Sequence, residues 1–438
     1  MKTNKKPTDK ILVITLGCSK NTVDSEKLLH QLSANSIELE YDKDHSNAKT
    51  VIINTCGFIN DAKKESINTI LHYIKAKQSD QINNLYVIGC LSERYANELK
   101  IEMPEVDQFF GVNSTREILK TLGYNYKDNL IGERLITTPS HYAYLKISEG
   151  CNRKCSFCAI PLIRGPYKSE KIEDLIKEAK SLAKKGVKEL MVIAQDISYY
   201  GVDLYETPML SYLINKLSEI NGIEWIRLHY AYPAGFPVDL IEVIRDNPKV
   251  CKYLDIPFQH ISDNMLKIMK RGMNKNTTLK LINKLRENIP GIALRTTLLT
   301  GHPGETEKDF KELVEFVQEY KFERLGIFTY SHEEGTYAAQ KQNDSISNKL
   351  KSKRAETIMA IQQSISGEIG KTRVGKEYKV IIDNNEGEFY IGRTEFDSPE
   401  VDNEVLIKST KKLNIGQFYN IKITGSNEFD LFGTQIKT

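Results

Sequence analysis

The sequence predicts an α/β protein in three parts: an N-terminal parallel-sheet α/β domain, a partial barrel of six β/α units, and a small C-terminal β-barrel of OB-like type. Three observations predict it. From Ile11 to about Tyr124, short β-branched runs alternate with helical patterns, the pattern of parallel strands joined by helical crossovers. Six further strand-like runs follow with helices between them, at roughly 30 to 45 residues per unit, short of the eight units of a closed barrel. From Val374 the pattern changes to short strands with turns. The corresponding domain boundaries are 9–125, 137–372 and 374–438.

Composition narrows the class. The 438 residues are 40% apolar and 27% charged, enough for sizeable cores and unlike a disordered chain. A formal net charge of +3 excludes a molecule covered in one sign of charge, so any electrostatic role is regional. The N-terminus MKTNKKPTDK precedes only a short apolar run, and no later stretch reaches a membrane-spanning length, so a cytoplasmic protein without membrane contact is expected. In that reducing compartment the seven cysteines are read as ligands, nucleophiles or core filler rather than disulfides.

In the first domain the strands are ILVIT, VIIN and LYVI, with helices over Asp24 to Leu32, Asp61 to Lys75 and from Ser92. Each strand ends at a cysteine with a glycine next to it: Gly17-Cys18, Cys56-Gly57 and Gly89-Cys90. Ligands gather outside the carboxyl ends of parallel strands, so these three cysteines can converge despite their spacing; buried small residues are the plain alternative. A polar stretch from Tyr124 to Ser140 is the candidate linker. The barrel strands are AYLKIS, ELMVIA, EWIRLHY, KYLDI, ALRTTLL and RLGIFTY, and Ile172, Leu175, Ile176, Ala179 and Leu182 recur at the spacing of one buried helical face. A charged helix from Ser345 to about Lys371 leads to the five C-terminal strands YKVIID, EFYIGRTEF, EVLIK, FYNIKI and EFDLFGTQI.

Cys151-Asn-Arg-Lys-Cys155-Ser-Phe-Cys158 directly follows the first barrel strand, at the face where barrel active sites sit. Three thiolates on one loop can hold three irons of a 4Fe-4S cube and leave the fourth open. Zinc prefers four ligands and paired knuckles, which this spacing does not supply. His229, His260, His302 and His332 also lie near strand ends and raise the competing reading of a histidine-metal hydrolase. Cys251 precedes its strand and reads as buried filler.

The C-x3-C-x2-C spacing after the first strand of a six-unit barrel resembles the radical S-adenosylmethionine superfamily. The resemblance implies that Cys151, Cys155 and Cys158 bind a 4Fe-4S cluster whose open iron takes S-adenosylmethionine. It places Phe157 near the adenine, with core packing as the alternative, and Gln195 and Asp196 near the methionine amino group or ribose. Thr300 and Gly301 resemble the adenine-side backbone contact. Arg295, inside a barrel strand, needs an anion, either a cofactor carboxylate or a structural salt bridge. No catalytic side chain is assigned.

The segments Leu16-Gly-Cys-Ser-Lys-Asn-Thr-Val-Asp-Ser-Glu26, YLKISEGCNRKCSFC and RTTLLTGHPGET together resemble the methylthiotransferases, which join a three-cysteine domain, a radical S-adenosylmethionine barrel and a C-terminal TRAM domain. By that resemblance Cys18, Cys56 and Cys90 bind a second 4Fe-4S cluster that carries the sulfur to be inserted, and an electron donor and a sulfur source are further partners. The family acts on a tRNA adenosine or on an aspartate of the basic small-subunit ribosomal protein S-twelve. Gly-Cys-Ser-Lys-Asn around Cys18 resembles the ribosomal branch. From Val374 to Thr438 there are eight Lys/Arg against eleven Asp/Glu, a net of −3 that suits a basic protein better than RNA phosphates. The β-carbon of that aspartate is the expected target, the tRNA adenosine the alternative, and a non-catalytic RNA-binding or metal-storage module the reading from another class.

Overall fold

A computed structural model of the chain describes residues 10–436. It forms two compact units: the first takes the chain up to Thr138 with Tyr144–Asn152 and Ala159–Leu182, and the second takes Pro139–Ala143, Arg153–Cys158 and the chain from Ala183 onward.

In the first unit a five-stranded parallel sheet runs in the order β2-β1-β3-β4-β5. Its centre is the expected trio, β1 (Ile11–Thr15), β3 (Thr50–Thr55) and β4 (Asn84–Gly89), and its edges are the short β2 (Leu39–Tyr41) and β5 (Gln108–Phe109). Two- and three-residue strands carry no readable alternation, which is why the sequence does not announce them. The helices α1 (Ser19–Ala34), α2 (Asn60–Gln78) and α3 (Cys90–Glu102) are the crossovers. Alternate strand residues feed opposite faces. Leu12, Val51 and Ile53 pack with Ile70, Ile74 and Leu99, while Val13 and Ile52 pack with Leu28, Leu29 and Leu32.

The helix expected from Asp24 begins at Ser19, directly after Cys18. A further helix, α4 (Thr115–Thr121), follows the sheet. The candidate linker is anchored rather than loose: Tyr124, Tyr126 and Leu135 pack on the sheet, and the buried Arg134 lies 3.3 Å from Glu26 and 3.5 Å from Glu178. Also in this unit, the two-residue strands β7 (Ser148–Glu149) and β8 (Lys168–Ser169) pair antiparallel around the short helix α5 (Ile160–Arg164), ahead of α6 (Ile172–Lys184).

The six barrel strands are β6 (Tyr142–Lys146), β9 (Glu189–Ile193), β10 (Trp225–Leu228), β11 (Val250–Asp255), β12 (Ala293–Thr300) and β13 (Arg324–Thr329). They form one open sheet in the order β13-β12-β11-β10-β9-β6, as an incomplete barrel requires. Cys251 lies within β11 rather than before it, and it is buried among Trp225, Tyr253 and Ala293, where burial pushes its thiol up to about 12.

The helix Asn348–Arg373 leads to a closed barrel in the order β14-β15-β16-β18-β17. Its strands are β14 (Glu377–Glu386), β15 (Phe389–Arg393), β16 (Val405–Lys408), β17 (Phe418–Ser426) and β18 (Leu431–Gln435), around Val380, Ile382, Ile407, Ile421 and Ile423. The chain around and after β15 supplies ion partners to the larger barrel. Glu189 accepts from Arg227 at 2.7 Å and from Arg393 at 2.8 Å, Arg393 also reaches Asp383 at 2.6 Å, Asp397 pairs with Arg324, and Asp402 pairs with Arg295. Arg295 therefore has a structural partner, and the reading that gave it a cofactor carboxylate is superseded.

The same contacts correct the charge argument. Asp383, Asp397 and Asp402 are turned inward to arginines. On the outside of the small barrel, the exposed Glu377, Glu386, Glu388, Glu400, Glu404 and Glu428 face as many exposed lysines, at 376, 379, 408, 411, 412 and 422. The net of −3 is largely internal bookkeeping of ion pairs rather than an acidic surface. Among the described residues, no helix is long and apolar enough to cross a membrane.

Candidate metal and cofactor centres

The three N-terminal cysteines stand where their strands end. Cys18 precedes α1 and is exposed, while Cys56, after β3, and Cys90, which opens α3, are buried. The adjacent glycines permit the approach. Gly17 sits at φ +90°, and a Cβ there would lie 2.6 Å from the Cys56 Cβ and 2.9 Å from its Sγ. A Cβ on Gly57 would lie 2.7 Å from the Leu91 Cα and 2.9 Å from the Cys90 carbonyl carbon. Asn21, on the first turn of α1, stitches the strand ends together: its amide donates to the Leu16 carbonyl at 2.8 Å and to the Thr55 carbonyl at 3.0 Å. Ser66 on α2 accepts from the Cys56 N–H and donates to the Cys56 carbonyl, both at 3.0 Å.

The three sulfurs are near enough to act on one another electrostatically. Burial, the largest effect, raises the Cys56 thiol and pushes Cys90 up to about 12. Opposing it at Cys90 is Arg164, whose Nη2 lies 3.3 Å from the sulfur. The donor set, three soft thiols with one open to solvent, fits a three-cysteine cube. Among the described residues no three His, Cys, Asp or Glu side chains close around a single-ion position; a cube several ångströms across takes its cysteines from farther apart.

Beneath this site lies a buried ion network. Arg164 Nη1 donates to Asp24 at 2.8 Å and to Glu149 at 3.0 Å, its Nη2 donates to Asn21 Oδ1 at 2.6 Å, and Lys146 pairs with Asp24 and, at 2.8 Å, with Glu149. Burial works to raise the Asp24 carboxyl, but the charges of Lys146 and Arg164 outweigh it and bring Asp24 down to about 2.

The second cysteine set lies on the loop after β6. In the first unit, the Cys151 N–H donates to the Gly165 carbonyl at 3.2 Å, and Gly150, at φ +74°, has the Gly165 carbonyl oxygen 2.6 Å from where a Cβ would sit. In the second unit, the Cys158 N–H donates to the Cys155 carbonyl at 3.2 Å. Cys155 Sγ accepts from Arg271 Nη1 at 3.1 Å and lies 3.7 Å from the Tyr232 hydroxyl. The Tyr232 ring has the Arg153 guanidinium 4.1 Å and the Arg271 guanidinium 4.4 Å from its centre. Arg153 is held in turn by Asp196 at 2.8 Å.

The expected cofactor contacts divide. Gln195 follows β9 and is half-buried. Asp196 is committed to Arg153 and caps the short turn Ile197–Tyr199 by accepting from the Ser198 N–H at 2.8 Å. Phe157 packs with Met265, Met269, Leu299 and Tyr330 and meets His302 edge-on, with ring centres 6.1 Å apart. Thr300 and Gly301 are fully inside: the Thr300 hydroxyl and the Gly301 N–H both donate to Glu305, the latter at 2.7 Å, and the Thr300 carbonyl accepts from Tyr330. Glu305 is also bound by Arg354 at 2.6 Å and His260 at 3.2 Å.

The histidines serve separate partners. His302 bonds to the Ser156 hydroxyl at 3.1 Å, His260 to Glu305, and His229 to the Ser398 hydroxyl at 3.1 Å, while His332 is exposed. They do not assemble as a histidine-metal hydrolase requires. Asn21, Arg164, Arg271 and Tyr232 are the residues that spacing alone does not single out. The sequence signal for Arg164 is a lone charge after the apolar run Ala159–Ile163, which must find a buried partner.

Comparison with known proteins identifies the domains and the family. Residues 145–317 match the Radical SAM superfamily, residues 374–436 the TRAM domain, and residues 10–111 a family described as Uncharacterized protein family UPF0004. Among curated relatives, the ribosomal protein uS12 methylthiotransferase RimO of Phocaeicola vulgatus is 56% identical, covering 96% of this chain and 98% of the relative. Its namesakes in Bacteroides thetaiotaomicron, 55% identical over 97% of both chains, and Cytophaga hutchinsonii, 54% identical over 98% of both, are similar. Among solved structures, the radical S-adenosylmethionine methyltransferase TsrM of Kitasatospora setae superposes with a TM-score of 0.55 at 13% identity, covering 86% of this chain and 79% of that one. The cobalamin-dependent S-adenosylmethionine radical enzyme OxsB gives 0.52 at 13%, covering 81% and 56%; both are likenesses of fold alone.

Proposed function

This chain belongs to the family of the ribosomal protein uS12 methylthiotransferases, and from that premise we propose that it inserts a methylthio group at the β-carbon of an aspartate of uS12, in the cytoplasm, using two three-cysteine 4Fe-4S clusters. It is a transferase of the radical S-adenosylmethionine type. The tRNA adenosine alternative is not favoured: the full-length relatives carry the ribosomal name, and Gly17-Cys18-Ser19-Lys20-Asn21 is of the ribosomal kind. The small barrel's charge no longer enters that choice.

The observation that carries the reading is the presence of two distinct cysteine sets, one local to a single loop and one assembled from three strand ends. An unactivated carbon offers no acid or base a handle, so acid-base side chains alone cannot start the reaction. When bound, the cofactors supply a carbon-centred radical at one site and the sulfur at the other. The chain's own part is to hold these reactants in place. Cys151, Cys155 and Cys158 are the ligands of the first cluster, and Cys18, Cys56 and Cys90 those of the second. Arg271 donates to the Cys155 sulfur, the Tyr232 hydroxyl lies beside it, and Asn21 ties the ends of β1 and β3 together. Gln195, with Phe157 at the loop, lies on the S-adenosylmethionine side. Thr300 and Gly301 stand on the adenine side, where the Thr300 hydroxyl and the Gly301 N–H are held by Glu305. The functional parts are residues 9–125, 137–372 and 374–438.

The test is anaerobic turnover of the reconstituted protein with S-adenosylmethionine and a reductant, offering uS12 or its loop peptide beside unmodified tRNA and reading both by mass spectrometry. A methylthio adduct on the aspartate alone is expected. An adduct on tRNA alone would overturn the substrate, and deoxyadenosine without any adduct would overturn the sulfur-inserting role.

A further inference from the structure

We propose that Arg164 is a positioning residue of the N-terminal three-cysteine site, holding the Cys90 sulfur by an N–H···S hydrogen bond and setting the reduction potential of the cluster bound there. The inference rests on the reading of Cys18, Cys56 and Cys90 as cluster ligands.

Arg164 ends α5, the short helix just after the Cys151–Cys158 loop, yet its side chain, 2% exposed, reaches the other cysteine set. The guanidinium is divided between two tasks. One nitrogen, Nη1, is clamped by Asp24 at 2.8 Å and Glu149 at 3.0 Å. The other, Nη2, turns away from both carboxylates to Asn21 Oδ1 at 2.6 Å and Cys90 Sγ at 3.3 Å. A side chain needed only to neutralise the two acids would not have to present its second edge to a sulfur, and Lys146 already pairs with both. The clamp removes the rotamer freedom that a long side chain would otherwise lose on making the sulfur contact. Packing supports the placement, since Cys90, Ala159 and Ile163 form one buried cluster that brings α5 against the start of α3.

A planar, permanently charged donor beside a cysteine sulfur stabilises negative charge there. Hydrogen bonds to cluster sulfurs and local positive charge make a cluster easier to reduce. Arg164 thus acts on the N-terminal cluster through Cys90 rather than by touching substrate.

The experiment uses the full chain with Cys151, Cys155 and Cys158 all replaced by Ala, so that only the N-terminal site can load. After anaerobic reconstitution, iron and sulfide content, the electron paramagnetic resonance spectrum of the reduced protein and the midpoint potential, together with the melting temperature of each chain before reconstitution, are compared among this parent, its Arg164→Gln form and its Arg164→Lys form. The expected result is a more negative midpoint and an altered spectrum in Arg164→Gln, with Arg164→Lys, which keeps the charge and loses the fork, in between. Loss of iron from both variants at an unchanged melting temperature also supports the proposal, because the fold then survives and the site does not. A loaded Arg164→Gln form, or a loaded Arg164→Lys form where the Gln form does not load, with the parent's midpoint and spectrum overturns it. So does loss of iron accompanied by a lower melting temperature in both, which would mark a scaffold role. A parent that binds no iron overturns the cluster reading itself, and this inference with it.

Discussion

At the scale of single residues, the six cysteines differ in the chemistry they support, and substitution separates them. Replacing Cys151, Cys155 or Cys158 by Ala is expected to reduce deoxyadenosine formation to background. Replacing Cys18, Cys56 or Cys90 should leave deoxyadenosine formation intact and abolish the methylthio product. Chromatography of the nucleoside and mass spectrometry of the peptide check the two, and equal loss of both signals in every variant would sink the division of labour. A second residue-scale prediction concerns His302, which burial lowers to about 4. An unfolded histidine titrates near 6.5, so as pH falls the unfolded chain takes up this proton first. Stability from this group is therefore full above about pH 6.5 and is lost as pH falls towards 4, by roughly 3 kcal/mol in all. Denaturant titrations of the metal-free chain at pH 7, 6 and 5 should show the decline, and His302→Gln should flatten it.

At the scale of elements, the strand-end turns decide whether three distant cysteines share a site. Gly17 combines φ +90° with a Cys56 side chain where a methyl group would go. Gly17→Ala therefore meets both a backbone penalty and a clash, together costing about 1–3 kcal/mol. The expected outcome is a lower melting temperature and reduced iron at the N-terminal site, with deoxyadenosine formation maintained by the barrel loop. Unchanged iron and melting temperature would show that the β1 turn has room the geometry denies. Ends such as these were legible in the sequence because Gly-Cys or Cys-Gly closes each apolar run. The five-residue earlier start of α1 was not, because Ser19 to Val23 carries little hydrophobic period, and its helical state is fixed by Asn21 bonding to two neighbouring loops.

At the scale of the whole molecule, the second unit joins its two barrels through buried ions. Glu189 is fully buried and serves two arginines, Arg227 and Arg393, and their charges hold it ionised against the burial that works to raise it. Glu189→Gln removes one charge and leaves two guanidinium groups short of an anion, a change that costs about 3–5 kcal/mol when a buried pair is broken. A fall in melting temperature of several degrees is expected, read by calorimetry on the metal-free chain; a variant as stable as the parent would mean that water or another acid takes over.

The sequence by itself determined the order of the main strands and helices, the small five-stranded C-terminal barrel, the two cysteine sets and the resemblance that led to the family, because alternation, turn residues and ligand spacing are local along the chain. Tertiary structure alone decided which charges meet. Arg295 found Asp402, Arg164 found Asp24, Glu149 and Cys90, and the acidic excess in the last 65 residues is accounted for by Asp383, Asp397 and Asp402 turned to arginines. Composition counts charges without regard to direction, while a buried charge is stable only where the fold supplies its partner. For Arg164 and Arg295 those partners include Asp24 and Asp402, each more than a hundred positions away.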